Sequence, residues 1–272
     1  MLLETCAVAI TGLLAGGLIN MIADALPSGQ PMRMPRYADG TQRPVRAWLG
    51  IGAFSLNLRS PPEPSADEPG TGSAALSWRY PLTELASALL MLFFFVDSRN
   101  DAALLSAATL FELAYAAIFV LITVIDLEYR RIPFVLSLAL GALALLDAAL
   151  NPARGPGLLS SAFGGLLGFG VVYAAYLGGL MFCRVLSRER GTPLEGGALG
   201  FGDVVLMAAT GLIVGFPSIA LAIVISVFAG AAGAIVVILR RIKQAGGYRP
   251  FASMPYGPYI IGSAIAVMLT GG

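Results

Sequence analysis

The sequence predicts an all-α fold, a polytopic membrane helix bundle of about eight transmembrane helices with one cytoplasmic loop of mixed order. Three observations predict it. Of the 272 residues 57% are hydrophobic and only 12% are charged, and mean hydropathy is +0.80; a soluble domain has roughly 45–50% apolar and 25% charged residues. Several apolar runs reach the roughly 20 residues that a bilayer crossing needs. The arginines and lysines fall into alternate loops, the mark of a chain that crosses repeatedly.

The runs place helices at about 5–26, 81–96, 103–125, 133–150, 158–182, 203–215, 218–238 and 256–270. The first run follows an acid, Glu4, and has no basic residue before it. That is the reverse of a secretory signal and puts the N-terminus outside. Fifteen of the basic residues lie in the segments after spans one, three, five and seven, from Arg33 to Arg249, against only Arg99 and Arg154 on the other side. Cytoplasmic loops retain Arg and Lys, so the first set faces the cytoplasm and both termini lie outside. Runs 203–215 and 218–238 are two helices, because Pro217 between them forces a break. The first has 13 residues, about 20 Å at 1.5 Å each, against a hydrocarbon core of about 30 Å. One end of it, the Asp203 end, is expected below the lipid surface. The loop 27–80 divides into a first half that folds locally against the membrane and a Pro-, Ser- and acid-rich second half, "SPPEPSADEPGTGSAA", whose composition predicts disorder.

Composition also excludes chemistry. A net charge of +1 gives no reason for a nucleic-acid partner, and the absence of histidine removes His catalysis and His metal ligands. Cys6 and Cys183 lie in different spans and form no CxxC pair, so neither a zinc site nor a disulfide framework is expected.

Intramembrane carboxylates remain, and such groups are functional suspects. They are Asp24, Glu84, Glu112, Asp126, Asp147 and Asp203. Asp126 ends the third span in "VLITVIDLEYRRIP" and Asp203 begins the sixth in "GFGDVVLM". On the orientation above both meet the cytoplasmic boundary, where two acids from different helices face each other. Taken alone, Asp203 reads as a helix N-cap and Asp126 as an interfacial acid beside Arg130 and Arg131; Asp24, Glu84 and Glu112 read as packing groups and Asp147 as solvated. The combination is more specific. Gly200 and Gly202 bracket the turn before Asp203, and glycine there permits positive φ and close backbone approach. Ile132–Pro133 follows Asp126, with Pro133 suited to the first turn of the fourth span. Two aspartates sharing one proton can activate water and protonate a carbonyl without metal or histidine. Helix polarity makes Asp203, at an N-terminus, the resting base and Asp126, at a C-terminus, the resting acid.

"GFGD" (200–203) resembles the GxGD signature of intramembrane aspartic peptidases, and Asp126 in "IDLEYRRIP" resembles the first catalytic aspartate of the bacterial type IV prepilin peptidases. "GLLAGGLINMIADALP", "RYPLTELASALL" and "MPYGPYIIGSA" resemble further stretches of that family, the last its Pro-aromatic-Gly-Pro motif with Pro255 and Gly257. The resemblance implies a multispan inner-membrane peptidase that removes the basic leader of prepilins or type II secretion pseudopilins at the cytoplasmic face. Asp126 and Asp203 would be its catalytic pair, with Gly200, Gly202, Pro133, Pro255 and Gly257 shaping the site. It divides the chain into residues 1–80, a span and loop, and 81–272, the peptidase. It also implies N-methylation of the new N-terminus with S-adenosylmethionine. Many members carry two CxxC pairs in the first loop for zinc; this loop has no cysteine, so no zinc is expected. Ala25 stands where the family usually has Arg before Leu-Pro, preceded by Asp24. The rivals are an ion-coupled transporter, whose acids belong near the midplane, a presenilin- or signal-peptide-peptidase-like GxGD protease, which usually carries Pro-Ala-Leu near its C-terminus, and a non-enzymatic pilus assembly protein.

Overall fold

The computed structural model describes residues 2–29, 31–37, 39–60, 75–97, 106–153, 155–190, 199–243 and 254–270. The proline- and acid-rich half of the first loop, Arg99, Arg154 and Arg249 lie outside the described residues. Among the described residues there are helices and no strands. The long helices are α1 (Leu2–Ala25), α3 (Arg79–Asp97), α4 (Ala107–Tyr129), α5 (Phe134–Leu150), α6 (Leu158–Arg190), α7 (Phe201–Val214), α8 (Ser218–Lys243) and α9 (Gly257–Leu269); the short α2 (Gly50–Ser55) lies in the first loop. Five of them are long and apolar enough to cross a membrane, and α5, α7 and α9 are shorter apolar helices. The protein is a multi-pass helical membrane protein, with the eight long helices near the expected positions. Helices α6 and α8 run further than expected, through Arg184, Arg188 and Arg240; arginine is a good helix former, so the helices continue past the apolar run.

The backbone packs as two compact units, Met1–Val124 and Ile125–Gly272. The division falls inside α4, so the last turns of that helix, with Asp126, belong to the second unit. It is a packing boundary and differs in kind from the motif boundary at residue 80.

In the first unit α1 and α3 run antiparallel on a stripe with a four-residue repeat. A Cβ on Gly12 would stand 2.5 Å from Ala88 Cα, and one on Gly16 would collide with the Glu84 backbone. One turn on, Asn20 Nδ2 donates to the Tyr80 carbonyl (3.0 Å), and at the helix end Asp24 pairs with Arg79 and accepts from the Tyr80 hydroxyl (2.9 Å). Small residues let membrane helices approach closely, and polar pairs fix their register. The first half of the loop folds locally, as expected. Tyr37, Ala47, Ala53 and Leu76 form a small core, flanked by Phe54, Leu58 and Tyr80. Arg59 lies over Phe54 (4.3 Å) and Trp78 (5.6 Å), and the Leu76 N–H closes on the Arg59 carbonyl (2.7 Å).

Glu84 ties this loop to the span. The side chain is fully buried and accepts the Gly50 N–H (2.6 Å) and the Ile51 N–H (2.8 Å), the free donors at the start of α2. A buried carboxylate with two such partners is a strong local constraint.

In the second unit α7 is the central helix and touches α5, α6, α8 and α9. Helices α6 and α7 lie backbone to backbone: Gly164 meets Gly211 and Gly168 meets the Met207 carbonyl. The break at 215–217 is real. Gly215 takes φ +70°, and the Phe216 N–H donates to the Ser160 carbonyl (3.1 Å) while Ser160 Oγ donates to the Phe216 carbonyl (2.8 Å). Tyr256 and Tyr259 of the α9 end fill the space over Gly230 and Gly233 of α8.

Glu84→Ala would leave the Gly50 N–H buried without an acceptor and the Ile51 N–H half-buried without one, a loss of about 1–3 kcal/mol for the buried group and less for the other. Limited proteolysis of the purified protein should then cut within residues 31–60 well before the wild type does, while the helices persist by circular dichroism.

Candidate functional site

Asp203 is the third residue of α7, and its N-cap is Gly200. The sequence expectation that Asp203 itself caps the helix is therefore corrected. A glycine has no side chain to cap with, so Asp203 reaches back one turn and accepts the Gly200 N–H (2.8 Å). Asp203 is 8% exposed. Gly200 and Gly202 are expected to permit positive φ and close backbone approach. Gly200 has φ −88°, and the positive-φ glycines among the described residues are Gly29, Gly40 and Gly215. The reason for Gly202 is close approach: a Cβ there would stand 3.0 Å from Ile132 Cβ and 3.2 Å from the Ile132 carbonyl.

Asp126 lies within α4 rather than after its end, because the helix continues to Tyr129. Arg130, at φ +53°, ends it and donates its N–H to the Asp126 carbonyl (2.8 Å), a left-handed cap. The Asp126 side chain is 3% exposed and accepts the Gly257 N–H (2.8 Å). Gly257 is the first residue of α9, with Tyr256 as N-cap and Pro258 next. The first N–H groups of a helix have no partner within it, so Asp126, from α4, caps the start of α9. Gly257 is small of necessity, since a Cβ would lie 2.8 Å from Asp126 Oδ2 and 3.3 Å from Ile132 Cδ1. Pro133 is the N-cap of α5, at φ −63°, rather than part of its first turn.

The two acids thus share a setting. Each carboxylate sits at the positive end of a helix, Asp203 on α7 and Asp126 on α9. Ile132 packs on Gly202, beside Asp203, and lies next to Gly257, the partner of Asp126. Phe134 and Phe201 stack (6.3 Å, 11°), both about half exposed, and flank this region from α5 and α7. The polarity argument that made Asp126 the resting acid does not hold: the start of α9 offsets the C-terminal end of α4.

The other candidate acids are placed elsewhere. Asp24 and Glu84 are engaged in the first unit, Glu112 lies on the part of α4 that belongs to that unit, and Asp147 accepts from Asn151 Nδ2 (2.7 Å) at the end of α5. Ile132 packs at the site and Tyr256 caps α9, and the sequence alone assigns neither a role. The signal for Ile132 was its position between a basic turn and Pro133, and that for Tyr256 was its place before Gly257. Among the described residues no cluster of three His, Cys, Asp or Glu is arranged to hold a metal ion.

Fold and site together define a polytopic membrane protein that buries two carboxylates against the starts of two helices. Residues 113–235, the stretch that carries both aspartates, match the type IV leader peptidase family. The chain is also similar to the prepilin leader peptidase/N-methyltransferases of Aeromonas salmonicida strain A449 and of Aeromonas salmonicida, each 28% identical over 201 residues. Those alignments cover 73% of this chain but 60% of each relative, less than two thirds of their length. No solved structure matches the chain.

Gly202→Val is expected to destabilise the protein by about 1–3 kcal/mol, the range for overpacking a close contact, because the Ile132 backbone cannot retreat. Gly262→Ala, with nothing within 4 Å of the added Cβ, should melt like the wild type; thermal melting in detergent compares the two.

Proposed function

We propose that the protein is a membrane aspartic endopeptidase that removes the leader peptide of type IV prepilins or type II secretion pseudopilins. The observation that carries this is the placement of Asp126 and Asp203, two buried acids of different helices on either side of Ile132, which meets both Gly202 and Gly257, inside the stretch that matches the leader peptidase family. The names of the relatives supply the substrate class.

Two carboxyl groups at close range share one proton, because both do not ionise readily together. The ionised member takes a proton from water, and the water oxygen attacks the scissile carbonyl while the protonated member gives its proton to the carbonyl oxygen. Collapse of the tetrahedral diol breaks the C–N bond, and the leaving amine takes up the proton that came from water. Gly257 and Gly200 hold the two carboxylates in place through their N–H groups. Which acid holds the proton at rest is a property of the pair.

In this reading the chain lies in the bacterial inner membrane, with its basic loops and the site toward the cytoplasm and both termini outside. The partition of arginine and lysine supports that orientation. The substrate's apolar helix stays in lipid while its leader remains in the cytosol. Proteolysis by the pair needs no metal, and the first loop has no cysteine for zinc. The relatives are also named as N-methyltransferases, and methylation of the new N-terminus from S-adenosylmethionine is the proposed second activity.

Leader removal from a prepilin in liposomes tests the proposal. Asp126→Asn and Asp203→Asn keep shape and remove the acid; each should abolish cleavage, and unchanged processing in both would overturn the reading. Gly257→Ala should leave the fold intact but move Asp126 aside, lowering kcat about 100-fold, the usual cost of displacing a catalytic group by about 1 Å. The rate should fall at low pH, when both acids are protonated, and at high pH, when the shared proton is lost, so a pH–rate profile with a single limb would contradict the shared-proton mechanism.

A further inference from the structure

The first unit holds a cavity of about 310 Å³ that the proteolytic pair does not use. Its floor is the last turns of α1, from Gly17 to Ala25, and its cover is made by loop residues between Pro31 and Tyr37 together with Gly40 and Arg43, with Trp48 and Tyr80 also lining it. The end of a membrane span, with tryptophan and tyrosine beside it, lies at headgroup level.

The charge of the lining is one-sided. Among the lining residues Arg33, Arg36 and Arg43 meet one acid, Asp24, which is already paired with Arg79 and bonded by the Tyr80 hydroxyl; behind the lining, the buried Glu84 lies near Arg43 and Asn20 with its oxygens committed to the Gly50 and Ile51 N–H groups. Two lining groups are buried with an atom that has no hydrogen-bond partner among the described residues. Arg43 is 5% exposed; its Nε donates to the Arg36 carbonyl (3.0 Å) and its ring-facing group lies over Tyr80 (4.5 Å), but Nη1 has no partner. Asn20 is 3% exposed; its Nδ2 donates to the Tyr80 carbonyl (3.0 Å), but Oδ1 has no partner. A buried guanidinium N–H without an acceptor is costly, and an anionic oxygen answers it best, since the arginine fork suits phosphate. The Asn20 acceptor, one step away, asks for a hydroxyl.

From these groups we infer that the cavity is a binding site for an anionic phosphate ester bearing a hydroxyl. The phosphate lies against Arg43, Arg33 and Arg36, and the hydroxyl donates to Asn20 Oδ1. Two sources carry this chemistry, the headgroup of an anionic phospholipid such as phosphatidylglycerol and a soluble glycerol phosphate. Basic pockets beside membrane helices at the cytoplasmic level take anionic headgroups. The inference is independent of the proteolytic reading, because no residue of the catalytic pair enters it.

The test uses the full-length protein. Native mass spectrometry after reconstitution in phosphatidylcholine, with and without phosphatidylglycerol, reads lipid retention; titration with sn-glycerol 3-phosphate in detergent reads soluble binding. Selective retention of phosphatidylglycerol identifies the lipid as the source, and glycerol phosphate binding without lipid selectivity identifies the soluble ester; both support the site. Arg33→Gln, at an exposed position, should weaken binding about fivefold, the usual contribution of one arginine at such a surface, with unchanged melting in phosphatidylcholine. Arg43→Lys keeps the charge but loses the fork and should weaken it further. Absence of both kinds of binding in the wild type, or equal binding in the wild type and Arg33→Gln, overturns the inference.

Discussion

A carboxylate inside a helical membrane protein needs donors, and this chain supplies them from the starts of helices. Gly257 N–H to Asp126 is the contact on which most else depends, because it joins α4 to α9 at the depth where α7 begins. Hydrocarbon offers no water to replace a missing partner. The small residues follow from it: Gly257 admits the carboxylate, Gly202 admits Ile132, and Ile132 fills the space between. The same device recurs in the first unit, where Glu84 takes the first N–H groups of α2. Both units thus solve the problem of a buried acid with the free donors of a helix start, once to hold a loop and once to hold a reactive side chain.

The contrast between these uses is instructive. Glu84 is fully buried and holds two N–H groups, so its oxygens are committed. Among the described residues Asp126 and Asp203 each have one N–H bond to a backbone glycine through a single oxygen, Oδ2. A carboxylate with a spare oxygen is available for chemistry; one fully engaged is a structural clamp. The stacked Phe134 and Phe201 flank the reactive pair and not the clamp.

Much of this was legible in the sequence, for definite reasons. Apolar runs and a proline break mark spans without any tertiary knowledge, which is why α7 and α8 separate at Pro217. "GFGD" and the Asp126 segment are short local patterns, and they bring the right residues forward. Local patterns do not reveal what a residue touches across the chain. That Asp126 caps α9, 131 residues away, was hidden, and so the helix-polarity argument went astray. Asp203 looked like an N-cap because caps and third positions differ by one turn and favour the same residue. For Gly202 the sequence left positive φ and close approach both open, because a glycine needed for space and one needed for positive φ are written with the same letter; close approach is the one the packing shows. The loop cluster around Tyr37 and Ala53 was expected only in outline, since its partners come from both sides of the proline-rich stretch.

The length of α7 has one more consequence. Fourteen residues make about 21 Å, about 9 Å less than a typical hydrocarbon slab, yet this helix stands at the centre with four others around it. A rod too short for its surroundings leaves a recess above one end, and a recess in a bilayer fills with solvent or draws the leaflet down. The dielectric that the GFGD turn experiences is therefore set partly by the host lipid, and acyl-chain length becomes a property of the protein's environment to which its core helix is directly coupled.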